Sequence, residues 1–85
     1  CHEGLLELKK HDEENQTQYM ETLRVYLEQH LSATQAAREL FIHRSTFLYR
    51  LDRIKEILQS ELDDPEEIFY LELSFRLLEQ EQEKE

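Results

Sequence analysis

The sequence predicts an all-α domain of five helices with a helix-turn-helix in its middle. Its 85 residues can enclose one hydrophobic core and no more. Apolar residues recur with the α-helical period, whereas one glycine and one proline leave few of the turn signals that a β-sandwich or barrel needs. With 39% hydrophobic and 35% charged residues, the chain also has more apolar material than a disordered segment.

The first helix is predicted at residues 3–12. Leu5 and Leu8 lie on one side of it, while Gly4 favours fraying at its start. The polar residues 12–16 are predicted to connect it to the next helix.

The second helix is predicted from about residue 17 to residue 30, with Thr17 or Asn15 as its N-cap. Its side chains at helical spacing form a single stripe: Tyr19, Leu23, Tyr26, Leu27 and His30. Such a stripe is typical of an amphipathic helix.

Residues 32–58 have the spacing of a helix-turn-helix. Ser32, followed by Gln35, fits a capping box that starts a short helix at residues 33–40. Only three residues then separate that helix from a longer one at residues 44–58.

Side chains in this segment meet the packing needs of the motif. Ala37 is small enough for the longer helix to cross closely, and Ile42 can insert from the turn into the core. Four apolar residues form one inner face of the longer helix: Phe47, Leu51, Ile54 and Leu58. Its polar outer face can then lie in the major groove of DNA as a recognition helix. An ordinary helical bundle is the alternative that this pattern leaves open.

The last helix is predicted at about residues 65–80. Asp64 is the expected N-cap, Pro65 occupies the first helical position, and the glutamates that follow complement the helix dipole. This helix has two apolar stripes on roughly opposite sides: Ile68, Leu71, Phe75 and Leu78 form one, and Phe69, Tyr70, Leu73 and Leu77 form the other.

A helix with two apolar stripes on opposite sides can bury both only if a separate surface packs against each stripe. We expect one stripe to pack in the core and the other to contact a second copy of the chain or an upstream domain. A homodimer through this helix would place two recognition helices one turn of DNA apart. The alternative is that the helices at residues 3–12 and 18–30 enclose the last helix within the monomer.

The charge of the chain is unevenly distributed. The net charge is −10, which opposes binding to a phosphate backbone, and residues 1–30 and 59–85 carry −4 and −8. Residues 31–58, however, carry +2. Because salt screens charges beyond about 8–10 Å, a partner meets this cationic segment rather than the total charge.

Two stretches of the chain closely resemble the C-terminal DNA-binding domain of PucR-type bacterial transcription regulators, a group that includes purine-catabolism and sugar-diacid regulators. They are ETLRVYLE at residues 21–28 and AARELFIHRSTFLYRLDRI at residues 36–54. The most specific part is the pattern His43-Arg44-x-Thr46-x-x-Tyr49-Arg50-Leu51-x-Arg53-Ile54.

The resemblance runs from about Leu5 to Leu78 and implies an all-α domain with a Fis-like helix-turn-helix. It also implies an upstream sensor domain that binds a small-molecule effector. Because the chain begins with Cys1 rather than Met, we interpret residues 1–85 as one domain of a longer regulator.

The sequence departs from the family pattern at several positions. Phe47-Leu48 stands where Leu-Arg or Leu-Ser is common. Ser45 stands where members often carry Asn, so the family's operator preference does not transfer. Phe41 replaces the glycine of the general helix-turn-helix turn. Gln59 stands where members often carry Gly, which predicts a longer or differently capped end of the recognition helix.

Four side chains at the start of the recognition helix are candidate DNA contacts. Arg44 can donate to phosphate or guanine, and Ser45 and Thr46 are short donors for base edges or phosphate. Tyr49 can offer its hydroxyl to phosphate or its ring to a thymine methyl group. The alternatives are a solvated Arg44, a capping role for Thr46 and partial burial of Tyr49.

Three further residues complete the predicted DNA-binding site. Arg50 and Arg53 are expected to reach backbone phosphates, although Arg50 could instead pair with an acid such as Glu39. His43 occupies the N-cap of the recognition helix, where it could contact phosphate or, as we favour, accept a backbone N–H.

The sequence offers little for catalysis. Its four histidines lack metal-ligand spacing, its single glycine excludes a glycine-rich phosphate loop, and Cys1 cannot form an internal disulfide. We therefore expect the protein not to be an enzyme and to bind no cofactor and no metal. Because the sequence contains no membrane-spanning segment, we expect the protein in the cytoplasm.

The predicted function is sequence-specific binding of double-stranded DNA by a regulator domain. The alternative is an acidic helical module for protein–protein interaction or dimerisation.

Overall fold

The computed structural model describes residues 2–83 and contains, within them, five α-helices and no strand. The all-α prediction is therefore confirmed. The helices are Glu3–Asn15 (α1), Tyr19–Glu28 (α2), Ala33–Leu40 (α3), Arg44–Leu58 (α4) and Pro65–Glu83 (α5). Cys1, for which we expected no internal disulfide, lies outside the described residues.

The core of the domain is built around α2, which contacts all four other helices. The largest fully buried side chains of the core come from four helices: Leu5 and Leu8 of α1, Leu23 of α2, Phe47 and Ile54 of α4, and Leu71 of α5. The short helix α3 buries Ala36 and Ala37 where it packs against α2 and α4. Because alanine side chains are small, these helices can approach one another closely, as the sequence predicted for Ala37.

The junction between α1 and α2 differs from the prediction. Residues 12–15 are helical rather than part of a connection, and the N-cap of α2 is Gln18, which makes no side-chain capping bond. The reason is that Asp12 caps α2 from within α1: its carboxylate accepts the backbone N–H groups of Tyr19 at 2.9 Å and Met20 at 2.8 Å. The first N–H groups of a helix lack partners inside it, so a carboxylate there stabilises the start of α2.

The end of α2 also differs from the prediction. The helix stops at Glu28, and the following His30 and Leu31 have left-handed backbone angles, with φ of 56° and 64°. The N–H of Leu31 donates to the carbonyl of Tyr26 at 2.9 Å and closes the turn. His30 is therefore exposed rather than part of the apolar stripe. This reversal of the chain brings α3 back against α2.

The last helix begins where the sequence predicts, and the carboxylate of Asp64 accepts the N–H of Glu66 at 3.1 Å. One of its apolar stripes packs in or against the core: Ile68, Leu71, Phe75 and Leu78. The other stripe lies on the surface and keeps between 44% and 68% exposure at each residue: Phe69, Tyr70, Leu73 and Leu77. The alternative in which α1 and α2 enclose both stripes is therefore wrong.

His2 connects α1 to α5. Its Nδ1 accepts the N–H of Gly4 at 2.9 Å, so the ring hydrogen lies on Nε2, which donates to Glu67 at 3.1 Å. The hydroxyl of Ser60 donates to the same carboxylate. The Ser60 hydrogen bond, followed by the contact with His2, lowers the pKa of Glu67, although its partial burial acts in the opposite direction. Glu67 therefore connects the residue that precedes α1 to the first turn of α5.

Candidate nucleic-acid interface

The turn between α3 and α4 sets the geometry of the helix-turn-helix. At the start of α3, the hydroxyl of Ser32 accepts the N–H of Gln35 at 3.2 Å, as the capping pattern predicts. At its end, Phe41 has left-handed backbone angles, φ 57° and ψ 41°, and the N–H of Ile42 donates to the carbonyl of Ala37 at 3.1 Å. This hydrogen-bonded reversal fixes the direction in which α4 leaves α3.

The inner face of α4 is anchored in the core by the four side chains that the sequence predicts: Phe47, Leu51, Ile54 and Leu58. The ring of Phe47 lies 5.6 Å from that of Tyr26, between ring centroids, and burial raises the pKa of the Tyr26 phenol. Ile42 packs against the same core from the turn. Because one face of α4 is held, its opposite face is held toward solvent.

The end of α4 also has a left-handed cap. Gln59 has φ 55° and ψ 48°, and the N–H of Ser60 donates to the carbonyl of Lys55 at 3.1 Å. The helix therefore ends at Leu58, as the periodicity predicts, and is not extended by the absence of a glycine at this position.

The exposed N-terminal half of α4 carries the candidate contacts. Arg44, Ser45 and Thr46 are exposed, and Tyr49 keeps 64% of its surface accessible, so the alternative of a buried Tyr49 does not apply. His43 is the N-cap residue of α4, but its side chain makes no capping bond. The structural role that we favoured for His43 is therefore wrong, because the residue is exposed and its imidazole accepts no backbone N–H of the first turn.

Two arginines on α4 contact neutral hydroxyl groups on neighbouring helices. Arg44 Nε donates to Thr34 Oγ1 of α3, and Arg50 Nη1 donates to Thr22 Oγ1 of α2, both at 3.3 Å. Among the side chains that the structure describes, those of residues 2–81, neither arginine forms an ion pair, so the alternative pairing of Arg50 with Glu39 is not observed. Within that part of the chain their direct partners are therefore neutral hydroxyl groups rather than carboxylates.

Arg53 has a different environment. Its Nη1 lies 2.9 Å from a carboxylate oxygen of Glu56, one turn further along α4. The Arg53 side chain is 43% exposed, so this is a surface ion pair. Such pairs typically contribute about 0–1 kcal/mol, which leaves Arg53 able to exchange its partner.

The chain matches the family described as the PucR C-terminal helix-turn-helix domain over residues 19–77, from the start of α2 into α5. The chain belongs to this family. PucR-type domains of this kind are DNA-binding domains of transcriptional regulators, a class of proteins distinct from enzymes. The resemblance drawn from the sequence is thereby confirmed.

Three similar regulators come from Bacillus subtilis (strain 168). The purine catabolism regulatory protein is 38% identical over 73 residues, the proline-responsive transcriptional activator PutR is 40% identical over 57 residues, and the DNA-binding transcriptional activator AdeR is 32% identical over 74 residues. These matches cover 86%, 67% and 87% of this PucR-type chain, but only 14%, 14% and 18% of the respective relatives. No solved structure matches the chain.

Two threonines of this PucR-type domain were missed by the sequence interpretation. Thr22 lies 28 residues from its partner Arg50, and Thr34 lies 10 residues from Arg44. No local pattern signals a hydrogen bond across such separations, because it depends on how the helices pack. Within the described residues, no cluster of His, Cys, Asp and Glu could hold a metal ion, and no helix is long and apolar enough to cross a membrane.

Proposed function

We propose that this chain is the sequence-specific DNA-binding domain of a bacterial transcriptional regulator and that α4 lies in the major groove of its operator. The observation that carries the proposal is the exposed N-terminal half of α4, where Arg44 and Arg50 form no ion pair with any described side chain although the chain has a net charge of −10. The family supports the same conclusion. The whole regulator carries an upstream sensor for a small-molecule effector and acts in the cytoplasm.

Different side chains of α4 have different roles in this complex. Ser45, Thr46 and Tyr49 lie on the exposed face and read base edges. Arg44 and Arg50 lie on its flanks and contact phosphates. Arg53 also contacts phosphate, which replaces Glu56 as its partner. The exposed His43 contacts phosphate from the N-cap of α4.

A salt titration of DNA binding tests the proposal. Each arginine–phosphate contact contributes about 0.9 to the slope of log affinity against log salt concentration, so Arg50→Ala should weaken binding to every sequence and reduce the slope by about 0.9. The matched control is Arg76→Ala, which removes the same charge from an exposed position on α5 and should leave the slope unchanged. Ser45→Ala should instead change the preference among sites selected from random duplexes.

Two results would contradict this proposal. If the chain shows no salt-sensitive affinity for duplex DNA, the acidic protein-interaction module is the better description. If Arg50→Ala and Ser45→Ala both bind DNA as the unchanged chain does, α4 is not the face that meets the duplex.

We also infer that the domain pairs with a second copy of itself through the exposed stripe of α5. Tyr70, Leu73 and Leu77 follow one another at intervals of three and four residues, the spacing of a coiled-coil seam, and Phe69 extends the same surface. Contiguous exposed apolar surface on a small domain typically marks an interface. A two-fold pairing is self-complementary and presents two copies of α4 to successive major grooves.

Sedimentation over a range of protein concentrations tests this pairing. The unchanged chain should dimerise, and Leu73→Glu should be a monomer because it places a charge in the seam. Gln35→Glu adds the same charge at an exposed position on α3 and should still dimerise. A purely monomeric unchanged chain at high concentration would contradict the inference.

A further inference from the structure

We propose that Thr22 and Thr34 are positioning residues that hold the guanidinium groups of Arg50 and Arg44 in place for DNA. The inference rests on the proposed function, because it concerns the same surface. It assigns roles to two residues outside α4, one on α2 and one on α3, both of which pack against α4.

The two contacts lie on opposite flanks of α4. Arg44 and Arg50 are six residues apart, which places them about 120° apart across the buried face of α4 and leaves about 240° between them on the exposed side. Arg44 is therefore directed toward α3 and Arg50 toward α2, and each meets a threonine hydroxyl at 3.3 Å. In this arrangement the exposed face between them is bordered by one oriented guanidinium on each side.

A hydroxyl group is well suited to this task because it is neutral. A carboxylate would also orient an arginine, but it would cancel the charge that attracts phosphate. Elsewhere in the domain this cancellation occurs: Arg24 lies between Glu21 and Glu28, and Arg53 pairs with Glu56. Each threonine uses one of the five N–H groups of its arginine and leaves the others for phosphate oxygens.

Thr22 is the more rigid of the two acceptors. It is fully buried, and its hydroxyl donates to the carbonyl of Gln18 at 2.7 Å, so its oxygen is free to accept from Arg50. Thr34 is exposed at the start of α3, where solvent competes for its hydroxyl. We therefore expect the loss of the Thr22 hydroxyl to affect DNA affinity more than the loss of the Thr34 hydroxyl.

The test compares variants of the full chain for binding to a mixed-sequence duplex of about 30 base pairs at low salt. Thr22→Val keeps the shape of the side chain and removes its hydroxyl. We expect it to weaken binding about 3- to 10-fold, because the long side chain of Arg50 would no longer be ordered before DNA binds and would have to be ordered during binding. Thr22→Ser keeps the hydroxyl, loses a buried methyl group and should bind as the unchanged chain does, although it is less stable. Thr17→Val, which removes a hydroxyl at the junction of α1 and α2, is the matched control and should bind normally.

A double-mutant cycle separates positioning from a structural effect. In a chain that already carries Arg50→Ala, Thr22→Val should cause no further loss of affinity. Equal losses with and without Arg50, or tighter binding by Thr22→Val, would overturn the inference. So would normal binding by Thr22→Val when Arg50→Ala binds weakly, a result that leaves the proposed function intact. If Arg50→Ala itself binds normally, the phosphate contact proposed for Arg50 fails, and the positioning role of Thr22 fails with it.

Discussion

Replacing Phe41 with glycine should stabilise the domain. Phe41 has φ 57° and ψ 41° at the helix-turn-helix turn, and its side chain is 94% exposed. The ring therefore buries little apolar surface, and its removal costs little. The left-handed backbone conformation, by contrast, is unfavourable for any residue with a Cβ atom and is readily adopted by glycine.

The size of the effect follows from two opposing contributions. The left-handed conformation costs a non-glycine residue about 1–2 kcal/mol, whereas glycine loses about 0.5–1 kcal/mol more conformational entropy when the chain folds. The midpoints of these two ranges differ by about 0.75 kcal/mol, so Phe41→Gly should raise the free energy of unfolding by about 0.5–1 kcal/mol. For a domain of this size, that corresponds to an increase in Tm of about 2–8 °C.

Equilibrium unfolding in urea, together with thermal unfolding, measures this change. Phe41→Ala is the matched control, since it removes the ring but keeps the Cβ atom and should not be stabilised. Gln59→Gly should gain a similar amount, because Gln59 has φ 55° at the end of α4. If Phe41→Gly unfolds at a lower urea concentration than Phe41→Ala, the backbone conformation at the turn is not what limits its stability.

Three further predictions concern stability. Asp12→Ala should lower the free energy of unfolding by about 1–2 kcal/mol, because two backbone N–H groups of α2 lose their acceptor, and Asp12→Asn should lose less. Ser32→Ala should cost about 1 kcal/mol at the start of α3. The pKa of Glu67 is lowered by its contacts with Ser60 and His2, so its charge stabilises the fold above the ordinary carboxyl pKa of 4.5. Glu67→Gln should therefore have a lower Tm than the unchanged chain at neutral pH, and the difference in Tm should narrow as the pH falls below 4.5. A difference in Tm that does not change with pH would contradict this.

The helix-turn-helix was predicted from the sequence with its boundaries because local features determine them. Ser32 caps α3, and the apolar period of α4 defines its buried face and hence its exposed one. The ends of α1 and α2 were not predicted, because Asp12 acts on backbone groups seven and eight residues away. The left-handed turn at His30 and Leu31 contains no glycine that would have signalled it.

The candidate site shows the same division between local and tertiary information. The exposure of Ser45 and Tyr49 follows from the burial of the opposite face of α4, so the sequence predicted it. The partners of Arg44 and Arg50 depend on how α2 and α3 pack against α4, and the sequence pattern does not reveal that packing. The pattern of α5 likewise shows two apolar stripes but not which of them the core covers.

The acidity of the domain is compatible with DNA binding because of where its charges lie. Residues 59–85 carry a net charge of −8, whereas residues 31–58 carry +2. In the proposed complex, the acidic part disfavours encounters in which α5 faces the duplex, while Arg44 and Arg50, which contact threonine hydroxyl groups, favour those in which α4 does. Threonine partners for these two arginines preserve that difference, since carboxylates at the same positions would orient the side chains and remove the charge that selects the productive approach.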